Sequence, residues 1–143
     1  MTSTSRPPVW FWIVAALALL WNLAGVVNYL SQAYATPEML EAMPEHQREY
    51  MDNTPAWVIG CFAIAVFGGT AANIFLLLRR RLAYVLFIVS LIGVLGQVTY
   101  SLLLSNAIDV YGPSGVVLPI LIVGIGIGLV FLSKKGIANQ WLK

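Results

Sequence analysis

Four runs of the chain, residues 9–30, 57–78, 82–104 and 116–132, contain no Asp, Glu, Lys, Arg or His. At the rise of an α-helix, each is long enough, or nearly so, to cross a hydrocarbon core of about 30 Å. The pattern predicts an all-α fold: a four-helix transmembrane bundle forming one integral membrane domain over residues 1–143. The connection at 31–55 predicts structure of its own, a short amphipathic helical segment between helices 1 and 2. Thr36-Pro37-Glu38 reads as an N-cap, a proline in the first turn and an acid at the positive helix end. Pro44-Glu45 offers a second start, so one broken or two short helices are expected. Met39, Leu40, Met43, Tyr50 and Met51 would rest on the membrane and the carboxylates would face water.

The second connection is only Arg79-Arg80-Arg81, which makes its flanking helices antiparallel neighbours. The third, 105–115, carries turn chemistry in Tyr111-Gly112-Pro113-Ser114-Gly115. Pro119 lies about one turn into the last helix and is expected to bend it.

Charge then orients the bundle. Arg6, the arginine triplet, Lys134, Lys135 and Lys143 fall on one side. Glu38, Glu41, Glu45, Glu49 and Asp52, with Arg48, fall on the other, as does Asp109. Basic connections stay in the cytoplasm, so both termini are expected inside and both acidic loops outside. Trp10, Phe11, Trp12, Trp57 and Trp141 would be interfacial anchors.

Composition adds exclusions. With 59% hydrophobic and 10% charged residues there is no room for a soluble domain, and the net charge of +2 marks lipid anchors rather than a nucleic-acid surface. Cys61 is alone, so no internal disulfide or cysteine metal site is expected. Arg6, the first apolar run and Ala33-Tyr34-Ala35 superficially resemble a signal peptide, but that run exceeds the usual about 7–15 residues, and an uncleaved helix is expected.

The two hairpins share a faint pattern. Gly25-x-Val27-x-Tyr29 matches Gly96-x-Val98-x-Tyr100, and Gly68-x-x-x-Ala72 matches Gly124-x-x-x-Gly128. A duplication related by an axis along the membrane normal would place these residues equivalently. Chance is the alternative, because membrane helices draw on few residue types.

No catalytic constellation is visible: there is no histidine pair, no paired carboxylate in a helix and no phosphate loop after a strand. An enzyme is not expected, nor any cofactor. His46 stands beside Glu45 and Glu49, yet one histidine in an acidic loop is more often solvated than a ligand, and no metal is expected. Gly124-x-Gly126-x-Gly128 lies inside an apolar run and reads as a close helix–helix contact.

The chemical signal is polar residues on helical faces. Trp21, Asn22, Gly25, Asn28, Tyr29 and Gln32 share a face of the first helix; Ser90, Gly93, Gln97, Tyr100 and Ser101 share one of the third. Both faces should point into the bundle, since lipid cannot satisfy an amide. Two readings stay open. Asn22, Asn28, Tyr29, Gln97 and Tyr100 converge either as interhelical glue or as a small polar ligand pocket. Such a pocket would suit a neutral hydroxylated or amide-bearing solute.

Trp57-Val58-Ile59-Gly60, Ala63-Ile64-Ala65-Val66-Phe67-Gly68-Gly69, Leu76-Leu77-Leu78-Arg79-Arg80-Arg81 and Ser90-Leu91-Ile92-Gly93-Val94 carry a resemblance over most of the chain. It resembles a group of small four-helix inner-membrane proteins of Gram-negative bacteria, chains sometimes labelled sugar transporters. That resemblance implies the four-helix fold and an inner-membrane location, and gives a role to no residue. Small multidrug transporters are similar in size but carry a glutamate in the first helix. Here that helix has no acid, and intramembrane ionisable groups are the usual means of proton coupling.

The leading expectation is a small non-catalytic integral inner-membrane protein, an accessory subunit or binding module. The alternative is a facilitative carrier for a small neutral, sugar-like solute, working as an oligomer. The partners implied are the lipid bilayer, a membrane-protein partner or a second copy, and for the carrier its solute.

Overall fold

The computed structural model describes residues 6–104, 109 and 112–142. Its helices are α1 Val9–Ala33, α2 Pro37–Glu41, α3 Glu45–Asp52, α4 Ala56–Leu77, α5 Leu82–Thr99 and α6 Ser114–Ala138. A π-helical turn, Tyr100–Leu104, continues α5. Among the described residues there is no β-strand. Four of these helices are long and apolar enough to cross a membrane. Most of the third connection, including Tyr111, lies outside the described residues; within it Gly112 takes a positive φ of 65°.

Proline sets the helix starts. Pro8, Pro44, Pro55 and Pro113 each occupy the residue before a first turn, and Pro37 lies in one. The first N–H groups of a helix have no partner in it, so a residue lacking that donor sacrifices nothing there. Between α1 and α4 two short helices form, as the cap pattern predicts, with the Met39 N–H donating to Thr36 Oγ1 at 3.2 Å. α6 continues through Lys134 and Lys135 instead of stopping at residue 132, and stays helical across Pro119. Lysine is a good helix former, so charge marks where the apolar span ends and not where the helix does.

Two helix ends share an unusual closure. Arg79 has φ 59° and Gln140 φ 61°. Each turns the chain so that the next N–H reaches back five residues: Arg80 to the Phe75 carbonyl at 2.8 Å, and Trp141 to the Gly136 carbonyl at 2.7 Å. Glycine usually fills such a position, and a side chain there costs about 1–2 kcal/mol. The two ends are tied together, because Arg79 Nε donates to the Trp141 carbonyl at 2.8 Å.

The long helices stand in a row: α1 packs on α4, α4 on α5, and α5 on α6. The α4–α5 contact is the tightest, and glycine makes it so. A β-carbon on Gly93 would lie 2.7 Å from the Cys61 carbonyl oxygen and 3.0 Å from the Ala65 nitrogen. The row curls closed only where the termini and residues 79–81 gather, here called the basic end. Phe11, Ala15 and Ala18 of α1, Ala72 and Leu76 of α4, Ala83 and Phe87 of α5, Leu129 and Leu132 of α6, and Trp141 and Leu142 form one buried cluster there.

Trp141 and Phe11 are therefore core residues rather than interfacial anchors. The tail folds back into the bundle, Trp141 meeting the Phe11 ring edge-on at 5.6 Å and the Trp10 ring at 5.7 Å. The row also argues against the internal repeat. Gly25 approaches Val66 of its own hairpin, whereas Gly96 approaches Cys61 of the other hairpin. A two-fold axis would require α6 to meet α1 as α4 meets α5, and α6 does not pack along α1.

Candidate functional site

The five polar residues that share helical faces do not gather in one place. Asn22 sits where three helices meet. Its Nδ2 donates to the Ala18 carbonyl at 3.0 Å, and its amide oxygen lies against Gly69, in the space a β-carbon would need. Ser90 Oγ borders the same space and donates across to the Ala65 carbonyl at 2.6 Å. Gly69 thus lets α1, α4 and α5 close on one another through polar atoms.

Tyr29 packs edge-on against Phe62 at 5.4 Å and Phe67 at 5.5 Å, both on α4. Tyr100, buried at the start of the π turn, meets Trp57 at 6.0 Å and Tyr50 of α3 at 6.3 Å. That aromatic group anchors the acidic loop over α4 and α5. Gln97 is half-buried on α5, seven residues or about 10 Å beyond Ser90. Asn28 is exposed and accepts from Gln32 Nε2 at 3.0 Å along its own helix. The cause is the row: α1 and α5 flank α4, so their polar faces meet different sides of one helix instead of a shared lumen.

Asn73 was the residue the facial pattern left aside. It is fully buried near the basic end, and its Nδ2 donates to the Gly69 carbonyl at 3.0 Å. Its Oδ1 has no partner among the described residues. A buried orphan carbonyl costs about 1–3 kcal/mol. The sequence signal was a single amide next to a stripe of small residues, Ala65, Gly68, Gly69 and Ala72, at its end nearer the arginine triplet.

The glycines of α6 also divide. Gly126 faces α5, with the Leu91 Cδ1 atom 3.0 Å from its β-carbon position. Gly124 and Gly128 face open space, with nothing within 4 Å, so this part of the motif is not the close helix–helix contact its spacing suggested. Their side of α6 can be traced. Lys135 is exposed and reaches Trp10, with its Nζ 5.3 Å from the ring centroid. Gly128 and Gly124 stand seven and eleven residues before it, two and three helical turns, on the same side. On α1, Trp21 stands eleven residues beyond Trp10, followed by Asn28 and Gln32 in line. Trp21 is 37% exposed and Asn28 is exposed.

The bundle therefore has an open seam. From the closure of Trp10, Lys135 and Trp141, α1 and α6 run toward the acidic end without packing on each other. Trp21, Asn28 and Gln32 follow Trp10 in line along α1, and Gly128 and Gly124 precede Lys135 in line along α6, all on sides that the bundle leaves uncovered. The seam's lower end is apolar and its mouth carries amides. His46 is exposed on α3, and no group of three His, Cys, Asp or Glu forms a metal cluster among the described residues.

These features define the chain as a multi-pass integral membrane protein with a helical bundle left open along one side. Comparison with protein-family models, curated proteins and solved structures finds no match, so the class rests on the chain's own residues.

Proposed function

We propose that this protein is a non-catalytic binding module or accessory subunit of a bacterial inner membrane, with both termini in the cytoplasm and the acidic α2–α3 segment outside. The observation that carries the reading is the α1–α6 seam, a surface at membrane depth that the chain leaves uncovered while filling its basic end. Orientation rests on the basic residues at one end and the acids at the other. The resemblance to small four-helix inner-membrane proteins agrees with that location. No catalysis is proposed: Asn22, Ser90 and the Asn73 Nδ2 donate to backbone carbonyls and Gln32 donates to Asn28, which is packing rather than a nucleophile–base pair.

The test is purification of the full chain from its own membrane in mild detergent, beside Gly124→Leu and Gly128→Leu variants. Retention of a stoichiometric membrane component that both substitutions displace supports the module. Equal recovery of every component from all three proteins counts against it.

A facilitative carrier for a small neutral, sugar-like solute is the second reading. Its specific support is the amide group of Asn28 and Gln32 at the mouth of a cleft that is plugged at the other end. Phe11, Leu76, Phe87 and Leu142 fill the inner half, so a carrier would need an oligomer or a large rearrangement. Solute-specific uptake by liposomes holding only this protein would replace the first reading with this one.

A further inference from the structure

We infer that residues 139–142 form a releasable strap over the basic end, and that its release lets water reach the buried amide of Asn73. This goes beyond the binding-module reading and holds whatever the uncovered α1–α6 side takes up.

The strap ties distant elements together. α6 ends at Ala138, and the chain turns back at Gln140. Trp141 and Leu142 then enter the interior, where both are buried. Trp141 meets Trp10 and Phe11 of α1 edge-on, and its carbonyl accepts from Arg79 at the α4–α5 turn. Leu142 lies against Gly136, its Cγ 3.0 Å from where a β-carbon would stand. Because α6 does not pack along α1, these contacts carry the closure of the row.

The depth of Asn73 follows from the register of α1 on α4. Tyr29 meets Phe62, Gly25 approaches Val66 and Asn22 lies against Gly69, so the two helices run antiparallel in one register. Continued toward the basic end, that register sets Ala18 opposite Asn73 and Ala15 opposite Leu76. Both alanines are buried, and a methyl group offers no donor. Asn73 Nδ2 donates to the Gly69 carbonyl, and its Oδ1 has no partner among the described residues. Ala15 and Leu76 belong to the same buried cluster as Trp141 and Leu142. Asn73 therefore stands about one turn behind the group that the strap covers.

Two features strain the closed state, and one movement relieves both. Gln140 holds φ 61°, a backbone that suits glycine and crowds a side chain. A buried carbonyl oxygen without a donor is likewise unfavourable, since its lost contact with water is not replaced. Release of the strap frees Gln140 to leave the left-handed region. It also opens the apolar cluster in front of Asn73, so that a water O–H can donate to Oδ1. Against release stand the Arg79 bond and the burial of Trp141 and Leu142, which keep the strap shut in this structure. Gln140 and Asn73, far apart in the chain, thus bias one two-state element in the same direction.

Native-state hydrogen exchange on the full chain in phospholipid nanodiscs tests this. The Trp141 and Leu142 N–H groups both donate to the Gly136 carbonyl, so their exchange reports release of the strap. They should exchange far faster than the amides around Asn73 in α4, whose exchange needs wider unfolding. Arg79→Gln should speed exchange at 141 and 142 on the order of tenfold, by loss of a charge-assisted hydrogen bond. Gln140→Gly should slow it about fivefold by relieving the closed turn. Asn73→Leu is the deciding variant and should also slow it about fivefold. A substitution that stabilises the folded chain slows exchange only through openings that relieve the site it changes. A tail that merely frays would therefore ignore residue 73. As a second readout in a Cys61→Ser background, Ala18→Cys should react with a small water-soluble thiol reagent faster when Arg79→Gln is added and slower when Gln140→Gly is added.

Exchange at 141 and 142 that is untouched by Asn73→Leu or by Gln140→Gly overturns the inference, as does exchange there only at the rate of α4. Reactivity of Ala18→Cys that ignores both tail variants overturns it equally, even if Asn73→Leu fails to fold.

Discussion

Gly93 and Gly124 are both glycines within membrane-length helices, yet they belong to opposite kinds of region. A β-carbon on Gly93 would press on the backbone of α4, whereas one on Gly124 would meet nothing within 4 Å. The α4–α5 interface is built by removing side chains until backbones touch. The α1–α6 seam has the same small residues and no neighbour. In lipid there is little hydrophobic drive between helices, so close packing has to hold the bundle together. The chain concentrates that packing between α4 and α5 and at the basic end, which frees the seam from a structural duty. A small-residue stripe therefore reports a close approach only when something approaches it.

The largest effect should come from the filled region. Phe11 is 0% exposed, and Phe11→Ala should cost about 3 kcal/mol, mainly through the cavity left behind. Reversible unfolding in mixed micelles measures it. A loss no greater than that of Trp12→Ala, which truncates a residue 38% exposed, would mean the basic end is not the core. Gly93→Ala is expected to cost about 2 kcal/mol by overpacking against backbone that cannot yield. Gly124→Ala in the same assay should be neutral or stabilise by up to about 1 kcal/mol, from helix propensity alone. Equal effects at the two glycines would erase the contrast between interface and seam.

Smaller effects sharpen the account of the filled end. Asn73→Leu removes the orphan carbonyl with little change of volume and should stabilise by about 1 kcal/mol. A clear loss of stability would mean that the bond from Asn73 Nδ2 to the Gly69 carbonyl outweighs the cost of the orphan oxygen. Gln140→Gly should add about 1 kcal/mol by relieving the left-handed backbone at φ 61°, seen as a raised melting temperature. No change would mean that the tail does not hold that turn.

Much of the fold was legible because lipid leaves few options. Charge-free runs had to be helices, residues 79–81 had to be a tight connection, and Thr36-Pro37 had to open a helix. The helical order in space was not legible. A helix face with Asn22 and Tyr29 looks the same in sequence whether it meets a lumen or a neighbouring helix, and both of these meet α4. Gln32 bonds Asn28 along the same helix, which amphipathic spacing does not reveal. The docking of Trp141 depends on Arg79, sixty-two residues away, and no local pattern carries a contact at that separation. Gly124, Gly126 and Gly128 are chemically alike, and only the position of α5 separates the covered one from the open ones.

The central claim is that α6 turns two of these glycines to an uncovered seam. In a Cys61→Ser background, nitroxides attached at Gly60→Cys, Gly124→Cys, Gly126→Cys and Gly128→Cys in phosphatidylcholine nanodiscs report oxygen access at each position. The account predicts access at 124 and 128 comparable with that at 60, and protection at 126. Protection at 124 and 128 equal to that at 126 would contradict it.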